Sequence, residues 1–533
     1  MTCARLWLRL QADAFSVDPP AYLLAVVWRA KGLKVRARNR IAALAGRSPW
    51  AYRYWIACKE PPPVDVGTSR ATPTVVVIDC RETDHGLLRT LASIPAGARR
   101  IVIGEGIEVA DAEVVAAPAD IAALLPGHGA WLCPIRCGDR LAERALDAYS
   151  KAIGTAGGAD IIYADDDAVD VSGVRELPHF KPDWNPELFE WHDFLTGACI
   201  VRSTPQEIAR LPRDGWPRGL VDGTLARGKR PMHVHRVLHH RLVRPQPTVP
   251  PSGAKPPLDS TPRVTIIVPT RNRTELLRTC LKGIADTDYP AYDLIIVDND
   301  SDEPDTRDLL KEAQARGAEI LAIPGPFNFS KLNNRAAARA RGELLCFLNN
   351  DVEMPDPNWL AYLVHHAVKL DLGAIGARLL YADGTVQHAG VFTGIGGGAG
   401  HAHRHQRHDE HGYFERSRLP QRVSAVTAAC LVVERHKFLD VGGFDEEKFA
   451  VAFNDVDLCL KLNARGWQSF YEPRATLIHH ESRSRGNDRA KANRTRFAEE
   501  LAALKQKWGT DQACDPYHHP HLSPFCEQFL VSV

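Results

Sequence analysis

The sequence lacks long apolar runs and an excess of charge of either sign. Its apolar stretches, such as residues 22–28 and 294–297, are far shorter than the roughly 18–20 residues that cross a bilayer, so the sequence predicts no transmembrane helix. The 66 Lys and Arg residues nearly balance 65 Asp and Glu residues, for a net charge of +1. Because nucleic-acid binding needs a basic excess, we expect no nucleic-acid partner.

Paired cysteine motifs are also missing. The 12 cysteines include no CxxC pair and no zinc-ribbon spacing, and they are scattered through apolar segments. We therefore expect buried, reduced thiols. Residues 1–10 show no apolar core followed by a small-residue cleavage site, so the sequence predicts no signal peptide and a cytoplasmic protein. The hydrophobic content is ordinary, at 44% of 533 residues, which is enough to build several cores.

Charge is concentrated near the start of the chain. Residues 19–59 contain nine basic residues and no acidic one, with apolar residues at helical spacing between them. This pattern predicts a basic amphipathic helix. Such a helix suits peripheral contact with an anionic membrane, at the inner face of the cell membrane. The alternative, which the weak and alanine-rich apolar stripe favours, is a helix packed on its own protein with a solvated basic face.

Proline divides the chain. Residues 244–262 contain seven prolines in nineteen residues, which neither a helix nor a central strand tolerates. We therefore predict a basic helical arm at 1–72, a first domain at 73–243, a linker at 244–262, a second domain at 263–510 and a C-terminal tail at 511–533.

After the linker, buried strands alternate with helical patterns. Strand-like runs cover residues 264–268, 294–297, 319–323 and 344–348, and such alternation specifies a Rossmann-like α/β fold with a mostly parallel sheet. Polar loops follow three of these strands: the PTRN turn at 269–272, Asp298, and Asp351 after two asparagines. Ligands bind beyond the carboxyl ends of parallel strands. A carboxylate there suits a ribose hydroxyl, or a divalent cation that bridges two phosphates.

The second domain resembles a family 2 glycosyltransferase with the GT-A fold, particularly the bacterial enzymes of O-antigen and other surface polysaccharides. The matching segments, in family order, are VTIIVPTRNR (264–273), LIIVDNDSDE (294–303), FNFSKLNN (327–334), GELLCFLNNDVEM (342–354), GAIGARLLYADGTVQHAGV (373–391), GGFDE (442–446), FNDVDLCLKLNARGW (453–467) and IHHES (478–482). The resemblance implies a nucleotide-sugar donor carrying UDP or dTDP and a glycan or lipid-linked glycan acceptor.

The resemblance also assigns roles to residues. It implies nucleotide-sugar binding by Pro269, Thr270, Arg271, Asn272, Asp298, Asn334, Asn349 and Asn350, a Mg²⁺ or Mn²⁺ ion held by Asp351 and His479, and catalysis by Asp455 as the base of an inverting transfer. Asn349 stands where the family's DxD motif has its first carboxylate. Because an amide oxygen is a weaker ligand for a hard cation, metal dependence stays an open question.

Alternatives stay open at several positions. The alternative for Asp455 is a helix N-cap, Asp457 is a lesser candidate base, and His480 is a lesser candidate ligand than His479. The glycine- and histidine-rich segment 394–414 favours a mobile flap over a zinc site. The substitution at Asn349 also suits a noncatalytic, nucleotide-sugar-binding protein. The QxxRW motif of processive synthases is absent, so we expect single sugar transfers.

The first domain repeats parts of the second. TGACIVRS (196–203) echoes TAACLVVER (427–435), and VHRVLHHR (234–241) echoes RATLIHHE (474–481), so His239 and His240 would match His479 and His480. Where a DxD motif belongs, however, the first domain has PIRCGD at 134–139. We therefore expect tandem GT-A domains, of which the first is a degenerate copy that serves structure or acceptor binding.

Overall fold

A computed structural model describes residues 2–64, 74–170, 172–258, 260–480 and 491–533 of the chain. The predicted boundary at 72/73 and the end of the IHHES motif, residues 481 and 482, lie outside these ranges. Within them, no helix is long and apolar enough to cross a membrane.

The helices of the described residues are α1 (Cys3–Val17), α2 (Pro19–Ala30), α3 (Lys34–Ala45), α4 (Ala51–Cys58), α5 (Leu87–Ala92), α6 (Ala145–Thr155), α7 (Pro186–Trp191), α8 (Pro205–Ile208), α9 (Trp216–Leu225), α10 (Thr274–Ala285), α11 (Pro304–Ala315), α12 (Phe329–Arg339), α13 (Trp359–Ala367), α14 (Arg435–Asp440), α15 (Asn454–Ala464) and α16 (Lys491–Trp508). Short 3₁₀ turns cover Pro118–Leu124, Ile395–Gly397 and Arg416–Arg418.

The strands before the linker are β1 (Thr74–Asp79), β2 (Arg100–Ile103), β3 (Glu113–Val115), β4 (Ala130–Arg136), β5 (Arg140–Leu141), β6 (Ile161–Val169), β7 (Arg175–His179), β8 (Cys199–Ser203) and β9 (Met232–Arg241). Those after it are β10 (Val264–Thr270), β11 (Tyr292–Asp298), β12 (Glu319–Ala322), β13 (Leu344–Leu348), β14 (Val352–Glu353), β15 (Leu372–Leu380), β16 (Val386–His388), β17 (Val391–Thr393), β18 (Ala399–His401), β19 (Gln421–Val423), β20 (Cys430–Glu434) and β21 (Gln468–His479).

Helices α1 to α4 form the N-terminal arm. Asp18 caps α2 by accepting a hydrogen bond from the Ala21 N–H at 3.0 Å, as expected of an aspartate at a helix start. On α3, Ala37, Ile41 and Leu44 are buried. The weak apolar stripe that the sequence shows therefore packs against the protein itself, and its basic residues face outward.

One prediction about cysteine is wrong. Cys3 at the start of α1 and Cys58 at the end of α4 form a disulfide, with their Cα atoms 6.1 Å apart. The helices bring together two cysteines that are distant in sequence, a pairing that no local spacing signals. The other ten are free thiols, and all of them except Cys514 are buried.

The two domains share one sheet topology. The first sheet has the strand order β3-β2-β1-β4-β8-β6-β9-β5, and the second has the order β12-β11-β10-β13-β20-β15-β21-β14. Each of the eight strands in one order has a counterpart at the same place in the other, and β7 pairs with β6 as β16 pairs with β15, whereas β19 of the second sheet has no counterpart. The prediction of two α/β domains of one fold is confirmed. Their boundaries stay predictions, although the strands of the two sheets fall between 74 and 241 and between 264 and 479.

The predicted parallel pairing holds for one half of each sheet. In the second sheet β12, β11, β10 and β13 are all parallel. Beyond β13 the sheet is mixed, because β20 runs antiparallel to both β13 and β15 while β15 and β21 are parallel. The buried apolar run of β10, in which all seven residues are buried, is typical of a central strand covered on both faces.

The C-terminal segment (residues 511–533) packs against the rest of the molecule. His519 is fully buried and lies 2.9 Å from Asp165 of the first domain. Phe529 stacks on Tyr413 of the second domain, and Val531 packs against the N-terminal helices. The two domains also meet directly, since Glu187 forms a two-pronged ion pair with Arg422, at 2.7 and 2.9 Å. The arm, both domains and the C-terminal segment thus form one packed body.

Candidate functional site

Three side chains converge where β13 ends and β21 ends. Asp351 Oδ1 lies 3.0 Å from His479 Nε2, and the amide nitrogen of Asn349 lies 3.3 Å from the same ring nitrogen. Strand pairing holds this geometry, because Val352 of β14 pairs with His479 and the His480 N–H donates to the Asp351 carbonyl at 2.9 Å. We call Asn349, Asp351 and His479 the cation site.

The donor set of the cation site fits a divalent metal ion. Asp351 is only 4% exposed, and the buried side-chain oxygen of Asn349 has no hydrogen-bond partner among the described residues. A buried acceptor without a donor is costly unless something else satisfies it. A carboxylate, an amide oxygen and an imidazole nitrogen are ligands that Mn²⁺ or Mg²⁺ accepts.

The two histidines at this position have different surroundings. The other ring nitrogen of His479, Nδ1, lies 2.7 Å from Gln387 Oε1, and such an outer partner fixes the orientation of a metal-binding ring. His480 Nε2 instead lies 3.1 Å from Glu353. The geometry therefore favours His479 over His480 as the ligand.

The PTRN turn lies beside the cation site. Pro269 and Thr270 are buried in β10, and the Asn350 amide donates to the Thr270 hydroxyl at 2.9 Å. Asn272 has a positive φ of 58°. Its amide donates to Asp302 at 2.6 Å and accepts from the Asp302 N–H at 2.9 Å. Asn272 thus joins the turn to the loop that follows β11, which forms one polar rim.

Asp298 and Arg271 lie at the same edge of the sheet. Asp298 ends β11, pairs in register with Thr270, and accepts a hydrogen bond from the Ser301 N–H at 3.1 Å. Arg271 is exposed. These positions agree with the expected loop at the carboxyl ends of the strands, and the nucleotide-binding roles of both residues stay predictions.

Asn334 has a visible structural role. Its amide donates to the Phe444 carbonyl at 2.9 Å and to Glu446 at 2.9 Å, and its oxygen accepts from the Phe444 N–H at 2.9 Å. The side chain therefore holds the GGFDE loop at 442–446 against α12. The proposed contact of Asn334 with a nucleotide sugar stays a prediction.

Asp455 and the cation site lie on either side of residues 428 and 429. Its carboxylate accepts hydrogen bonds from the N–H groups of Ala428 and Val456, at 3.2 and 2.9 Å. The neighbouring Ala429 carbonyl accepts from the Asn349 N–H at 3.0 Å. Burial raises the pKa of Asp455 above its ordinary value, a change that moves a carboxylate toward the range of a general base.

The structure separates Asp455 from Asp457. Asp457 is fully buried, pairs with Lys507 at 2.7 Å and accepts from the Trp508 indole at 2.8 Å. Through these contacts Asp457 joins α15 to α16. Asp455 stands in the first turn of α15, whose N-cap position is Phe453, so the N-cap alternative for Asp455 is wrong.

The first domain has different residues at the equivalent place. Leu132 pairs with Val201 in the first sheet as Cys346 pairs with Val432 in the second, which puts Arg136 and Cys137 where Asn350 and Asp351 stand. The echoed histidines are shifted by one residue from the sequence alignment. His240 faces Arg140 as His479 faces Val352, because the register of β6 and β9 shifts between Asp165 and Asp166.

The described histidines of segment 394–414 form no group that could hold a metal ion. His403 is buried and stacks on Phe529, and His405 stacks on Tyr381. Among the described residues, the His group that could hold a metal is a different one: His233, His235 and His519, whose ligand atoms lie within 4.8 Å of one another. The sequence gives no sign of this trio, because it joins the first domain to the C-terminal segment.

Comparison with known proteins identifies a family for part of the chain. Residues 265–427 match the family model described as glycosyl transferase family 2. This region of the chain is a family 2 glycosyl transferase domain, and it carries Asn349, Asp351 and the PTRN turn, whereas Asp455 and His479 lie beyond it.

Two curated relatives extend the similarity into the first domain. The chain is 35% identical over 451 residues to "Uncharacterized protein y4gI" of Sinorhizobium fredii. That alignment covers 76% of this chain and 50% of the relative. It is 34% identical over 431 residues to "O-antigen biosynthesis protein RfbC" of Myxococcus xanthus, which covers 72% of this chain and 33% of that protein. The chain thus spans half or less of the length of these relatives.

A solved structure is also similar. It is a mannosyltransferase from Pyrobaculum calidifontis in complex with GDP-Man and Mn²⁺, with a TM-score of 0.36, 20% identity, and coverage of 51% of this chain and 71% of that one.

Proposed function

We propose that the second domain transfers a sugar from a UDP- or dTDP-sugar to a hydroxyl group of a glycan or lipid-linked glycan during the synthesis of a bacterial surface polysaccharide. The observation that carries the proposal is the hydrogen-bonded link between Asp455 and the cation site through residues 428 and 429, next to the region 265–427 that matches the family 2 model. The similarity to an O-antigen biosynthesis protein supports the choice of acceptor class.

The residues present divide the work of such a transfer. Asp351, His479 and Asn349 would hold Mg²⁺ or Mn²⁺, which neutralises the diphosphate and makes it a better leaving group. The rim of Asp298 and the PTRN turn would bind the nucleoside. Asp455 would take the proton of the acceptor hydroxyl as that oxygen attacks the anomeric carbon. A single base acting on one attacking hydroxyl gives inversion.

The experiment measures donor binding and turnover separately. Thermal unfolding with a panel of UDP-, dTDP- and GDP-sugars, with and without Mn²⁺, identifies the donor, and release of nucleoside diphosphate with an acceptor reports transfer. Asp351→Asn and Asp455→Asn should abolish transfer. Asp222→Asn is the matched control, because Asp222 is a half-exposed carboxylate on the corresponding helix α9, paired with Arg218.

The outcomes separate the two candidate functions. Donor binding without turnover would support the alternative, a noncatalytic nucleotide-sugar-binding protein, which Asn349 favours. Equal losses from all three variants would contradict the assignment of chemistry to the second domain. The absence of any nucleotide-induced shift would contradict both functions. The anomeric configuration of the product, read by NMR, tests inversion.

We also propose that the arm contacts the anionic inner face of the cell membrane. Large apolar side chains are exposed on α1 and α2: Trp7, Leu8, Phe15, Val17, Leu23, Leu24, Val26 and Val27. Arg29, Lys31, Lys34 and Arg36 are exposed nearby, and the combination of apolar and basic surface suits an interfacial helix on anionic lipid. Sedimentation with phosphatidylglycerol vesicles tests this, and equal binding to phosphatidylcholine vesicles would contradict the role of charge.

A further inference from the structure

The first domain has a cavity at the place that corresponds to the site of the second domain. Its volume is about 330 Å³, within the range of small-molecule pockets. It lies at the ends of β1 and β4, and its lining includes Asp79, Arg136, Thr196, Arg241 and Arg244. We call it the arginine cavity.

Positive charge stands next to the places of the cation ligands here. Arg136 takes the place of Asn350, as described above, and Arg241 follows His240 as His480 follows His479. Thr196 precedes β8 by three residues, as Thr427 precedes β20. Thr196 and Thr427 therefore occupy equivalent positions, while guanidinium groups stand where the second domain has its amide and imidazole groups.

Buried donors in the cavity lack partners. Arg241 is 4% exposed, and its Nε has no hydrogen-bond partner among the described residues. The buried hydroxyl oxygen of Thr196 is likewise unpaired there. Gly197 has a φ of +80° and leaves space for the Arg241 guanidinium group. A Cβ at position 197 would lie only 2.7 Å from a nitrogen of that group. Unpaired buried donors that line a cavity point to an acceptor bound inside it.

The surrounding charges favour an anion. Asp166 contacts three cations, with Lys181 at 2.8 Å, Arg244 at 3.0 Å and Arg241 at 3.6 Å. Asp139 supplies a further buried carboxyl, whose pKa burial raises to about 6. Asp166 thus has three cations around it, and Arg241 also acts on Asp139.

Two other charged residues of the cavity, Arg136 and Asp79, are each paired with a residue outside its lining. Arg136 pairs with Glu82, and Asp79 pairs with Arg81 at 2.8 Å. A phosphate group suits such a cluster because guanidinium groups bind it through two parallel hydrogen bonds.

The cavity lacks the groups for transfer. Helix α9 begins with Trp216 and Pro217, whereas α15 begins with Asn454 and Asp455, so a proline stands at the position of the candidate base.

We propose that the arginine cavity binds a diphosphate group through Arg136, Arg241 and Arg244, without a divalent cation and without turnover. The choice of diphosphate among anions rests on the proposed function, whose donor carries this group, as does an acceptor linked to a lipid through diphosphate. The first domain would then hold a diphosphate-bearing ligand while the second domain acts.

The test uses the full chain with its second site disabled. In the Asp351→Asn protein with EDTA present, isothermal titration should detect binding of inorganic pyrophosphate. Arg136→Gln, at a half-exposed position that tolerates substitution, should weaken that binding at least tenfold, and Arg241→Gln should do the same. Arg99→Gln is the matched control, because Arg99 pairs with Glu113 outside the cavity; its affinity should stay within twofold.

Two further probes identify the source of the diphosphate. Tighter binding of UDP than of pyrophosphate assigns the cavity to a nucleotide, and tighter binding of farnesyl diphosphate assigns it to a lipid-linked ligand. No binding of any probe in EDTA, or equal weakening by Arg99→Gln, would overturn the proposal. Transfer by the unmodified protein with Mn²⁺ is measured in parallel, so that failure of the proposed function shows as lost transfer with pyrophosphate binding intact.

Discussion

Replacing Asn349 with aspartate would restore the carboxylate that the DxD motif has at this position. In the protein without metal, the new charge would lie next to Asp351, which is 4% exposed and thus poorly screened by solvent. We therefore expect Asn349→Asp to lower stability without metal and to raise affinity for Mn²⁺. Both effects have one cause, because a cation bound between the carboxylates removes their repulsion.

The distances set the size of the effect. Asp351 Oδ1 and the Asn349 amide lie 3.0 and 3.3 Å from His479 Nε2. Two carboxylates at these places would lie no more than about 6 Å apart, and at that separation they repel by about 3 kcal/mol at an effective dielectric constant of 20. In a domain of this size that corresponds to a fall of about 6–12 °C in Tm. By linkage, the same energy corresponds to a gain of about 100-fold in Mn²⁺ affinity.

Thermal unfolding and isothermal titration measure the two quantities. The Tm of wild type and Asn349→Asp is compared in EDTA and in saturating Mn²⁺, and the Kd of Mn²⁺ is measured for both. The variant should unfold earlier than wild type in EDTA and recover that difference in Mn²⁺.

Asn350→Asp is the control for geometry. It adds the same charge one residue away, but its side chain faces the Thr270 hydroxyl, so we expect less than about a threefold gain in Mn²⁺ affinity from it. An Asn349→Asp protein whose Mn²⁺ Kd stays within twofold of wild type would refute the assignment of this residue to the cation site.

Three further predictions concern the junction, the base and the arm. Glu187→Ala should lower the free energy of unfolding by about 2 kcal/mol. This is less than the usual cost of breaking a buried ion pair, because Asp371 still contacts Arg422 at 2.6 Å. Differential scanning calorimetry should show a Tm lower by about 4–8 °C. Because burial raises the pKa of Asp455 and only the ionised carboxylate accepts a proton, transfer should fall as pH drops through that pKa, which gives kcat/KM an acidic limb above pH 3.8. The double variant Leu23→Ser and Leu24→Ser should reduce vesicle sedimentation at least fivefold, through loss of exposed apolar area.

Each of these predictions has its own check. Glu187→Gln keeps hydrogen bonds to Arg422 and should recover part of the lost stability. An acidic limb at or below pH 3.8 would contradict the role of Asp455. Leu370→Ser removes an exposed leucine outside the arm, and an equal loss of vesicle binding with it would contradict a specific contact.

Much of the fold could be predicted because its signals are local. The predicted run at 264–268 is the core of β10, and the run at 344–348 is β13 without change. Both are continuous apolar stretches ended by polar loops, a pattern that short-range chemistry determines. The mixed half of the sheet could not be predicted, because the direction of β20 depends on pairing with strands distant in sequence.

The candidate site shows the same division. Asp351 and His479 were predicted from motifs, and the structure brings them within 3.0 Å of each other. The engagement of Asn334 with Phe444 and the one-residue shift at His240 were not predicted. Such features depend on tertiary contacts and on strand register, and the residue type alone does not report either.

The position of the C-terminal segment bears on how the chain is made. Residues 511–533 follow the described strands of both sheets, so their contacts with the arm and the first domain can form only after both sheets have been synthesised. Until then, Phe180 lacks His519, which stacks on it, and Tyr413 lacks Phe529, which stacks on it. Contacts between such distant parts of a chain form slowly, and exposed apolar surface promotes aggregation meanwhile. Yield of soluble protein should therefore depend on growth temperature and chaperone supply more than the stability of the finished protein suggests.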